Sequence, residues 1–157
     1  MILKDAIHTL VTKIYQTGDE RPKGASAEEL KRAGEAGFPT DLIEFYRDCN
    51  SDDCVELKQR IWSVDNALVE NQRAVPGCYL SPHGFIVFAS NLCGEAYCID
   101  INVTSGSHPV VLFSHEVIEE DMPVSKIQSL RLEVASSLQE FLVKFANEEL
   151  VNEPLYG

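Results

Sequence analysis

Apolar residues recur at helical spacing along the first segment. Ile2, Leu3, Ala6, Ile7, Leu10, Val11 and Ile14 form one stripe of an amphipathic helix. Gly18 is placed to end it, and residues 18–25 are polar and turn-rich, as a loop requires. Ser26-Ala27-Glu28-Glu29 reads as a capping box opening a short helix that Gly34 and Gly37 close. Pro39 starts another helix, with Leu42, Ile43, Phe45 and Tyr46 on its buried side and Asp41, Glu44, Arg47 and Asp48 toward water. Asn50-Ser51-Asp52-Asp53 stops it. Arg60 to Val64, which holds the only tryptophan, is a strand candidate. Asp65 is placed to cap a helix running to Arg73.

The pattern changes period in the middle of the chain. Phe85-Ile86-Val87-Phe88-Ala89 is continuously apolar, as expected of a strand covered on both faces. Ala96 to Val103 alternates, with Tyr97, Ile99, Ile101 and Val103 on one side and Cys98, Asp100 and Asn102 on the other. Pro109 to Phe113 is a third strand. Both connections are short and contain glycine, which predicts an antiparallel meander. Near the end, Leu130, Val134, Leu138, Phe141, Leu142 and Phe145 predict one helix packed on the sheet. Helices first, strands in the middle and a helix last give an α+β fold. Its antiparallel sheet is expected to hold four to six strands, and residues 1–157 to form a single domain.

Charge narrows the partner class. Lys and Arg number 13 against 25 Asp and Glu, a formal net charge of −12. Such a field repels phosphate backbones and anionic lipid, so neither nucleic acid nor a membrane surface is an expected partner. A basic protein would be drawn in. The five cysteines are odd in number, and Lys4, Asp5 and His8 interrupt any apolar leader. Reduced thiols in a cytoplasmic protein are the expectation. No stretch approaches the roughly 20 apolar residues of a membrane span.

Candidate chemistry is sparse. Cys49 and Cys54, and likewise Cys93 and Cys98, are separated by four residues, the loose limit of zinc-ligand spacing. Ser114-His115-Glu116 holds nucleophile, base and acid types, but adjacent strand residues point to opposite faces and cannot form a relay. There is no Gly-x-Ser-x-Gly elbow and no glycine-rich phosphate loop. The acidic pairs are contiguous, whereas catalytic carboxylates face each other across a cleft. No catalytic residue, metal or cofactor is therefore expected. A small hydrolase built on cysteine, histidine or a metal is the weakest alternative.

The order of these segments resembles the SUKH superfamily. Phe38-Pro39-Thr40-Asp41-Leu42-Ile43-Glu44-Phe45-Tyr46-Arg47-Asp48-Cys49-Asn50 is similar to its Pro-led early helix. Residues 85–100 are similar to its central hairpin, residues 109–116 to its third strand and residues 134–142 to its closing helix. Where the family commonly has glycines after the helix Asn, this chain has Ser51-Asp52-Asp53. The resemblance implies a non-catalytic protein-binding domain. Members include bacterial immunity proteins that neutralise toxins and regulatory modules such as those of fungal cell-wall signalling. An immunity protein facing a cognate toxin, such as a basic nuclease, is the first expectation; a regulatory scaffold is the second. Expected contacts are Asp52, Asp53, Glu56, Glu95, Glu116, Glu119, Glu120 and Asp121, with Trp62 and Tyr97 as apolar anchors. A monomer or weak dimer is expected, since an exposed edge strand can pair with a copy.

Overall fold

A computed structural model describes residues 2–14, 22–52, 54–56 and 59–150. Six strands run β1 (Val55–Glu56), β2 (Gln59–Ile61), β3 (Phe85–Asn91), β4 (Ala96–Asp100), β5 (Val110–Phe113) and β6 (Leu132–Ala135). They form one antiparallel sheet in chain order, each strand beside the next. The α+β fold and the antiparallel meander read from the sequence are therefore present. The helices are α1 (Leu3–Ile14), α2 (Ala27–Glu35), α3 (Thr40–Asp48), α4 (Val64–Gln72), α5 (Gly77–Leu80), α6 (Val124–Leu130) and α7 (Leu138–Ala146).

Two cores lie on opposite faces of the sheet. On the first face Ile61, Ile86, Phe88, Tyr97, Ile99, Val110 and Leu112 meet the apolar stripes of α1, α3, α4 and α7. Phe141 of α7 sits edge-on to Phe88, with ring centroids 4.9 Å apart. On the second face Phe85, Val87, Ala96, Cys98, Val111 and Phe113 meet Leu80, Ile118 and Ile127. A bulge between Val87 and Ala89 shifts the β3 register against β4. The covered strand expected at Phe85–Ala89 is thus covered, and β4 is covered as well, with every residue from Ala96 to Asp100 buried.

Four readings need correction. The strand candidate Arg60–Val64 is Gln59–Ile61, and the following helix starts at Val64, capped by Ser63 rather than Asp65. β4 stops at Asp100, where Ile101 and Asn102 turn. The expected long last helix is three elements: α6 ends at Leu130, Val134 lies on β6, and α7 begins only at Leu138. Ser137 caps α7 by accepting from the Glu140 N–H at 3.0 Å. The first helix, α1, is described to Ile14, and the reading of Gly18 as its end lies outside the described residues. The capping box at Ser26 and Glu29 forms as read, with both reciprocal bonds present.

Candidate functional site

Pairing gathers several strand ends together. Glu56 pairs with Gln59, Gln59 with Asn91, Ser90 with Ala96, and Ala96 with Phe113. The paired ends of β1 and β2, the β3–β4 turn and the turn after β5 therefore share one end of the sheet. Gly94 of the β3–β4 turn lies so near His115 that a Cβ there would stand 3.1 Å from its Nδ1.

The second face is roofed only in part. Arg60 lies between buried Gln59 and Ile61 and pairs with Val55 on one side and Ser90 on the other. Ser90 pairs with Ala96, a member of the smaller core. Val55, Arg60 and Ser90 thus share that core's face, but α5, α6 and residues 118–122 cover only its β3–β5 portion. Beside the roof lies a shallow groove of ≈ 260 Å³, lined by Val55, Gln59, Arg60, Trp62, Ser90, Asn91, Leu92 and Gly94. Leu92 is 75% exposed at its rim. Trp62 is half-buried. Its carbonyl accepts from Tyr46 Oη at 2.9 Å, and the Arg60 guanidinium lies 5.4 Å from its ring centroid, a cation–π contact.

The expected contact residues scatter. Asp52 is exposed, but its carboxylate is an internal cap for α4, accepting from Ser63 N–H at 2.9 Å and Asn66 Nδ2 at 2.7 Å. Burial pushes its carboxyl up, yet the bonds from Asn66 and Ser63 together hold it below the usual carboxylate range. Asp53 and the side chain of Glu56 lie outside the described residues. Glu116, Glu119, Glu120 and Asp121 are exposed on the loop after β5. Glu95 and Tyr97 are not surface groups. Glu95 is 2% exposed and accepts from Asn91 Nδ2 at 2.9 Å. Tyr97 is 1% exposed, packed 5.1 Å from the Phe141 ring, and its hydroxyl is pushed up to about 12 by burial. Tyr97 lies under α7 in the larger core, and Glu95 is enclosed at the start of β4 by its bond to Asn91, so neither is open to a partner. Arg60, Val55 and Leu92 were passed over. An apolar residue in the turn Asn91-Leu92-Cys93-Gly94, where no core can use it, was the available signal.

The chemistry candidates also take their places. Cys49 and Cys54 are both buried, and a hydrogen bond from Cys54 holds the Cys49 thiol below its ordinary value. Cys98 is fully buried, which pushes its thiol well up. Ser114 is buried and its Oγ accepts from Glu116 N–H at 3.2 Å, while His115 is exposed. Among the described residues no three His, Cys, Asp or Glu side chains converge as metal ligands. Among those residues no helix is long and apolar enough to cross a membrane.

No curated protein matches the chain. The sequence profile of the SMI1 / KNR4 family (SUKH-1) matches residues 24–144, from the strand of chain before α2 to within α7. That span takes in the whole sheet, α2 to α6 and most of α7, and so the chain belongs to the SMI1/KNR4 family (SUKH-1), which includes immunity proteins and whose domains generally bind protein partners.

Proposed function

We propose that this chain is a cytoplasmic, non-catalytic immunity protein that neutralises a cognate bacterial toxin by binding it. The family match carries the reading. The charge supports it: −12 over the chain, with Glu116, Glu119, Glu120 and Asp121 exposed on one loop. A field of that sign speeds the approach of a basic protein, such as a nuclease that is itself built to hold phosphate. Binding, unlike catalysis, needs no convergent nucleophile and base. The whole chain acts as one unit, as a monomer or weak dimer.

The test is genetic and physical. Expressed with the toxin encoded beside it, the chain should restore growth and elute with the toxin domain as one complex in size-exclusion chromatography with light scattering. Absence of both rescue and complex would sink the toxin. A growth defect on deletion, with no toxin neighbour, would instead point to a regulatory scaffold for an endogenous partner.

A further inference from the structure

The bare half of the second sheet face has the composition of a docking site. We propose that it receives a segment of a partner protein in which one apolar side chain is flanked by lysines or arginines. This rests on the protein-binding reading above and adds where the partner sits and what it presents.

Three observations specify that occupant. First, the surface is apolar where it has no internal use for apolar groups: Leu92 is 75% exposed, Val55 37%, and half-buried Trp62 lines the same groove. A side chain seated there is buried against all three. Second, the surroundings are acidic. Glu116 sits in the turn that leans on Gly94 through His115, and the chain carries a net −12. The cation within the groove, Arg60, is stacked on Trp62. Positive groups flanking the seated side chain therefore meet opposite charge. Third, Trp62 Nε1, on a side chain that lines the groove, meets no acceptor among the described residues. A small turn of the indole would give it to a main-chain carbonyl of the arriving segment, adding a bond without breaking one.

Other surfaces fit such a segment less well. The cleft of ≈ 510 Å³ between α2 and α4 is spanned by the Arg32–Asp65 ion pair at 3.0 Å, and Glu35 and Arg73 add one charge of each sign. It is neutralised from within. The outer strand β6 is blunted where Lys144 Nζ donates to the Val134 carbonyl at 2.8 Å.

Trp62 is the sole tryptophan, so its emission reports this face alone. The probe is a capped pentapeptide, Lys-Lys-Leu-Lys-Lys, titrated at low ionic strength into the ¹⁵N-labelled chain. It should shift Trp62 emission and the amide signals of Val55, Arg60, Leu92 and Gly94. Placing serine at the peptide's centre, or making Leu92→Ser in the protein, should weaken binding at least about fivefold. Val69→Ser, in the α2–α4 cleft, should change nothing. Leu92 is exposed in a turn, so its replacement leaves the fold intact. Amide shifts confined to other residues, or an unchanged affinity in Leu92→Ser, would overturn the proposal. Toxin rescue without this response removes the face but keeps the immunity reading; this response without rescue does the reverse.

Discussion

Asn71 is buried on α4 and its carboxamide faces Val87 of β3. β2 runs out before that point, its last ladder partner on β3 being Ala89. Asn71 Oδ1 accepts from the Val87 N–H at 2.8 Å, and Nδ2 donates to the Val87 carbonyl and to Ala67 O, each at 2.8 Å. One side chain thus completes the hydrogen bonding that a longer strand would supply. Asn71→Ala strands both Val87 groups away from water. At roughly 1–3 kcal/mol per unsatisfied group, a loss of about 3 kcal/mol is expected in urea unfolding. Asp52 and Glu29 make a different prediction. The Ser26 backbone and hydroxyl hold Glu29 below the usual range, as the bonds from Asn66 and Ser63 do Asp52. A carboxyl depressed in the folded state stabilises fully above its unfolded value, and that share is lost as pH falls through the folded value. Stability measured from pH 7 downward should fall on an acid limb, and Asp52→Asn should make that limb shallower while lowering stability at pH 7. Glu29 was legible because its partner is three residues away; Asp52 was not, because Ser63 is eleven away.

At the scale of elements, the central meander could be read because each strand is apolar and each turn short. The last quarter misled because Leu130, Val134 and Leu138 fall four apart while belonging to three elements. Leu130 faces the smaller core from α6, Val134 borders the larger core from β6, and Leu138 enters the larger core from α7. A helical period arose from residues that never share a helix. The break was marked nonetheless: Ser137 followed three residues later by Glu140 is a helix-start signal. Ser137→Ala should therefore lower stability by about 1 kcal/mol, read in thermal or urea unfolding, because it removes a cap on a helix whose apolar face is already buried. β1 was illegible for a simpler reason. Two residues carry no period, and only pairing with β2 makes them a strand.

Across the whole molecule, the Asp100–Arg131 ion pair ties the centre of the sheet to the junction of α6 and β6. Asp100, 1% exposed, accepts from Arg131 Nε at 3.1 Å and from Asn102 N–H and Nδ2 at 3.0 Å each. Arg131→Met leaves that carboxylate buried without its cation. A loss of about 3 kcal/mol is expected, whereas Asp100→Asn combined with Arg131→Met should lose less, both read by denaturant unfolding. Of the candidate site, overall acidity was legible and its distribution was not: sequence alone does not say that Glu95 is enclosed while Leu92 projects. That depends on the hydrogen bonds that tie Glu95 back to Asn91 within the turn. The strand order has a temporal meaning. Strands adjacent in sequence are adjacent in space, so each hairpin can add to the last as synthesis proceeds, with little chain to loop out. The helices behave otherwise, because α1 packs against α7. The earliest helix waits on the ribosome for the latest. Until then its apolar stripe has only part of its cover, from α3, and a nascent chain stalled before Leu138 is the form most in need of a chaperone.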